Sequence, residues 1–103
     1  NGRAGIDITD SLRAGCHGIV PGVETCDRQA RIYELMASGE AQKADQLFAE
    51  ILPLLSFLML GIEHFICYGK RLAARRLGID KVHDRTPAQP PTDIGLEALG
   101  RWS

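Results

Sequence analysis

A chain of 103 residues, 45% of them hydrophobic, with a formal charge of -1, is long enough for one modest core and too apolar to be disordered by composition. So even a balance gathers neither nucleic acid nor an anionic membrane surface, and neither is expected as a partner. Three cysteines at uneven spacing argue against a secreted disulfide framework and fit a reducing, cytoplasmic setting.

Asn1-Gly2-Arg3-Ala4-Gly5 carries no initiator Met and no signal pattern, yet helical periodicity starts almost at once, so further chain is expected upstream. Residues 7–14 read as a short helix, with Ile8 and Leu12 on one face, Asp7 and Asp10 near its positive end, and Gly15 as its stop. Gly18-Ile19-Val20 reads as a short buried strand ended by Pro21-Gly22. A lone strand cannot satisfy its own backbone groups, so its partners are expected outside this chain.

Thr25 or Asp27 caps a helix over 26–38, with Ala30, Tyr33 and Ala37 on one side, and Ser38-Gly39 stops it. Residues 40–48 are helical again, with Ala41, Ala44, Leu47 and Phe48 on one packed face. The apolar run 51–62 is bounded by Glu50 and Glu63 and falls short of the roughly 20 residues a bilayer needs, so it reads as a buried helix kinked at Pro53. A helix over 63–77 follows, with Phe65, Ile66, Leu72, Ala73 and Leu77 apolar, basic residues toward its carboxyl end, and Gly78 as its stop. Residues 80–92 are polar and proline-bearing, an extended surface segment. Thr92 or Asp93 then caps a last helix over 94–102, with Leu96 and Leu99 inward.

Candidate chemistry is sparse. His64 and Cys67 are three apart on a helix and can face one metal ion, with Cys16, His17, Cys26 or His83 completing the shell. Structural zinc sites show two close pairs, whereas this chain has one, so no metal is expected and none of these residues is assigned as a ligand. Cys16 and His17, adjacent on a strand, point to opposite faces and do not make a nucleophile and base. Lys70, Arg71, Arg75 and Arg76 spread around one helix without interleaved aromatics, which reads as a solvated or subunit-facing surface. The glycines match no phosphate-binding fingerprint. Glu24 and Arg3 are the charged side chains best placed for a ligand.

Gly15-Cys16-His17-Gly18-Ile19-Val20-Pro21-Gly22, then Ser38-Gly39, Leu52-Pro53-Leu54, Lys70, Leu77-Gly78 and Arg85-Thr86-Pro87, occur in an order and spacing that resembles the carboxyl-terminal third of the dihydrodipicolinate synthase and N-acetylneuraminate lyase superfamily. The resemblance implies an α/β fold, with residues 1–38 as the last repeats of a (β/α)8 TIM barrel and residues 39–103 as a carboxyl-terminal helical domain. It implies a cytoplasmic homotetramer without a cofactor, in which a lysine forms a Schiff base with a 2-keto acid such as pyruvate. The protonated imine withdraws electrons, so a carbanion beside it is stabilised and a C–C bond is made or broken, or water eliminated. By the same resemblance Gly2 and Arg3 touch the distal part of the substrate, and Val20, with Pro21 beside it, lies near the imine. Lys43, Lys70 and Lys81 do not match the Schiff-base position, and Tyr33 and Tyr68 do not match the proton-relaying tyrosine, so no catalytic residue is expected within this chain. Pro21-Gly22-Val23-Glu24 departs from the synthase branch, and a sugar-acid dehydratase or aldolase is closer. The chain thus reads as a segment of a class I lyase; the alternative is a small helical dimerisation module without catalysis, joined through its apolar run.

Overall fold

Helices follow one another through a computed structural model that describes residues 1–103: α1 (Ile8–Arg13), α2 (Cys26–Ala37), α3 (Ala41–Leu58), α4 (Ile62–Leu77) and α5 (Asp93–Trp102). A single 3-10 turn, Val23–Thr25, leads into α2. Helix α4 is composite: Ile62–His64 is α-helical, Phe65–Gly69 is π-helical and Lys70–Leu77 is α-helical again.

No residue lies in a strand, which corrects the expected α/β architecture: this chain forms an all-helical domain and no part of a TIM barrel. The physical reason lies at residues 16–22, whose strand-like pairing reaches one residue only. The Asn1 amine donates to the Gly18 carbonyl at 3.0 Å, and the Val20 N–H donates to the Asn1 carbonyl at 2.8 Å. This is the slanted pattern of a single parallel rung. A sheet needs that rung repeated across several strands to be stable, so helix packing organises the chain instead.

Helix α3 is the spine. Its first part joins α1 and α2 in one cluster, where Ile8, Ile32, Leu35, Ala44, Ile51 and Leu55 are buried. Its last part joins α4 and α5 in a second, where Leu54, Leu58, Cys67, Tyr68, Leu72 and Leu99 are buried. The helix continues through Pro53 to Leu58. Pro53 and Ala49 are both exposed, so the carbonyl that loses its intrahelical donor faces water.

Three helix faces differ from the sequence pattern. In α5 Leu99 packs inward as expected, but Leu96 is exposed. In α2 the core face is Gln29, Ile32 and Leu35, and Ala30, Tyr33 and Ala37 point outward. Both sets repeat at helical spacing, and the set with the larger apolar side chains packs. In α4 the π-helical segment holds an extra residue per turn, which shifts the register so that Cys67, Tyr68 and Leu72 turn inward. Ile66 and Leu77 are left exposed. Gly78, at φ 73°, makes the left-handed stop of α4.

From Gly78 the chain crosses back without regular structure to α5. It is strapped to α4 by Arg71, whose guanidinium pairs with both oxygens of Asp84 at 3.1 and 2.5 Å, and by Lys70 donating to the His83 carbonyl at 2.8 Å. Thr92 caps α5 by accepting from the Gly95 N–H at 3.0 Å. The α3–α4 corner bends by 107°, and no single helix is long and apolar enough to cross a membrane.

Candidate functional site

The extended segment 16–22 ends at Pro21-Gly22 beside the α3–α4 corner, and a cleft of about 350 Å³ opens between them. Gly2, Val20 and Pro21 form one wall, joined by Ala4 and Gly22; Met59, Ile62 and Phe65 form the other. Three of the four residues to which the family resemblance assigns a substrate contact therefore share one cavity. Arg3 lies next to it in the chain but does not line it. The parallel rung to Asn1 holds this geometry, because it sets Gly2 alongside Val20 across 18 residues of sequence separation. The Asn1 side chain adds a second anchor, donating to Asp7 at 2.7 Å and to the Ser11 hydroxyl. No side chain lining this cleft bears a charge or a strong hydrogen-bonding group.

Glu24 lies directly behind the cleft. A Cβ on Gly22 would stand 2.2 Å from its carboxylate oxygen, so only glycine lets the loop close over it. Glu24 is 2% exposed, its Oε1 has no partner, and burial pushes its carboxyl pKa up despite the nearby Arg76 charge. On its other side Glu24 borders a polar cavity of about 300 Å³ with Arg28, Arg75 and Arg76. Arg76 bonds to the Glu24 carbonyl and pairs with both oxygens of Asp27. That hydrogen-bonded pairing holds the Asp27 carboxyl below its usual range. The cluster was not legible in the sequence, because Arg76 stands 49 residues from Asp27. The one local signal was the position of Glu24 just past the extended segment.

The other candidates are separated. His64 packs edge-on against Phe57 at 4.6 Å and against Tyr68 at 4.6 Å, and its Nδ1 is buried without a partner. Cys67 is buried, and that burial raises its thiol pKa, which disfavours the thiolate a metal or a nucleophilic role requires. No three His, Cys, Asp or Glu side chains converge in a way that would hold a metal ion. Lys43 is paired with Glu40 at 2.6 Å, Lys70 with the His83 carbonyl, and Lys81 lies past the end of α4. None of the three lines the cleft. Tyr33 donates to the His17 carbonyl at 3.3 Å, while the Tyr68 hydroxyl accepts from the Thr92 N–H at 3.1 Å; both are structural contacts. Comparison of the chain with protein families, curated proteins and solved structures finds no match.

Proposed function

We propose that this chain is the carboxyl-terminal, helical segment of a class I lyase of the dihydrodipicolinate synthase kind, acting on a 2-keto acid, and that it forms one wall of the substrate pocket. The observation that carries this reading is the convergence of Gly2, Val20 and Pro21 on a single cleft at the end of an extended segment. The apolar surface beside residues 16–22 supports it. Val20 is 71% exposed and Ile62 79%, a pattern suited to contact with further protein or with a ligand. The catalytic lysine and tyrosine belong to other parts of the enzyme, since the lysines and tyrosines of this chain lie away from the cleft. The assembled enzyme is a homotetramer on the same reading.

The test is borohydride reduction in the presence of pyruvate, followed by intact-mass measurement of the protein isolated from its natural source. A single reduced pyruvate adduct on a longer chain containing this sequence is the expected result. A chain of this length without an adduct would overturn it. The exposure of Leu60, Ile62 and Val23 favours, as a second reading, a helical module that associates through this corner. In that case sedimentation would give a stable dimer that Leu60→Asp dissociates.

A further inference from the structure

We infer that the polar cavity between α2, α4 and α5 binds a phosphate group, as the free ion or as the monoester of a small molecule. The inference goes beyond the lyase reading and does not rest on it. In a space of about 300 Å³ the fold brings together Arg28 from the first turn of α2, Arg75 and Arg76 from the last turn of α4, and Ser103 just past α5. Leu54 and Leu72, both buried, complete the lining. The three guanidinium groups are not equally occupied. Arg76 is neutralised by Asp27. Arg75 donates to an uncharged group, the Ser103 hydroxyl at 2.5 Å, and neither Arg75 nor Arg28 is in an ion pair with a carboxylate side chain. Arg28 moreover adds its charge to the positive end of α2 instead of offsetting it. The carboxyl ends of α4 and α5 supply about half an elementary negative charge each, less than the two unpaired guanidinium charges. Glu24 is the one carboxyl in the lining, but both its oxygens sit against Gly22, which is outside it, and burial favours the neutral acid.

A tetrahedral dianion answers this arrangement. Each guanidinium presents a planar fork of N–H donors that matches two phosphate oxygens, and the apolar side chains beneath strengthen the attraction by lowering the local dielectric. The volume reaches the lower end of the range for small-molecule sites, roughly 300 Å³, which leaves room for a small ester group. Isothermal titration calorimetry of the full-length protein containing this sequence, in low-salt chloride buffer near neutral pH, tests the inference with inorganic phosphate and with glycerol 3-phosphate. Saturable binding of at least one probe, at one site per chain, is the expected result. An ester bound at least about tenfold more tightly identifies a monoester as the ligand, and one bound equally or less tightly identifies the free ion. Arg28→Gln and Arg75→Gln should each weaken binding at least about tenfold, the loss of one charged hydrogen-bonded contact. Arg31→Gln removes an equal charge from an exposed position on α2 outside the cavity and should leave binding within about twofold. Arg28 and Arg75 stand on different helices, so one variant still decides the matter should the other fail to fold. Saturable binding of neither probe, unchanged binding in the cavity variants, or a loss in Arg31→Gln as large as theirs would overturn the inference.

Discussion

Gly95 shows how a single missing carbon can organise two helices. A Cβ there would meet the Tyr68 hydroxyl oxygen within 1.8 Å, so the absence of a side chain lets Tyr68 reach the Thr92 N–H at the start of α5. Gly95→Ala is expected to destabilise the protein by about 2 kcal/mol through overpacking. Combining it with Tyr68→Phe, which removes the closest atom, recovers part of that loss in a double-mutant cycle read by chemical denaturation. Glu24 makes the opposite point, that of a polar group held at a disadvantage. Burial raises its carboxyl pKa in the folded chain, so folding favours the protonated form. That contribution is complete below the ordinary carboxylate range and is lost as pH rises through the raised value. Glu24→Gln therefore has stability close to that of the natural protein at about pH 4, where the acid is neutral, and greater stability at about pH 7. Thermal unfolding at the two pH values measures the difference, and an equal shift at both would refute the assignment.

Among the elements, α3 does most to unite the chain, because both buried clusters include its residues. At about 1.5 Å per residue its 18 residues span nearly 27 Å, with Ala44, Ile51 and Leu55 in the cluster with α1 and α2, and Leu54 and Leu58 in the cluster with α4 and α5. Leu55 is fully buried in the first cluster, and Leu54 beside it belongs to the second. Leu55→Ala is expected to cost about 3 kcal/mol and, since the clusters share one helix, to lower protection from hydrogen exchange in α4 as well as in α2. Loss confined to α1 and α2 would show that the clusters open separately. The strap over α4 depends on local charge. Hydrogen bonding from Arg71 holds the Asp84 carboxyl below its usual range, so the stabilisation it contributes is present at neutral pH and is lost as pH falls through that lowered value.

The whole molecule measures 43 × 23 × 22 Å with a radius of gyration of 14.4 Å, larger than the roughly 13 Å typical of a compact domain near 100 residues. Elongation leaves apolar side chains uncovered, among them Val20, Leu60, Ile62 and Ile94, and the cleft lies where the first three come near the α3–α4 corner. Since Val20 is 71% exposed, Val20→Glu should change fold stability by no more than about 0.5 kcal/mol. It places a charge in an apolar cleft, however, so if the proposed lyase reading holds, turnover is expected to fall at least tenfold while circular dichroism stays unchanged. Equal loss of helix and of activity would remove the pocket role from Val20.

Several features were readable from neighbouring residues alone. The glycine stop at Gly78, the Thr92 cap and the helical runs on either side of Gly39 all follow from backbone conformations and hydrogen bonds closed within a few residues. The sequence by itself determined those elements and the boundaries at Gly39, Gly78 and Thr92, but not the far end of α3, which runs on to Leu58 rather than stopping at residue 48. Only the tertiary structure decided that Gly18–Val20 pairs with Asn1 alone and stays outside any sheet, that α2 packs through Ile32 and Leu35 rather than Tyr33, and that the π-helical turn brings Tyr68 inward. It also decided that Gly2 meets Val20 in one cleft and that Arg76 reaches across to Asp27 and Glu24. The physical reason is common to all of these. Strand pairing, the choice between two possible helix faces and the convergence of distant residues depend on what stands opposite in space, and periodicity along the chain carries no record of that.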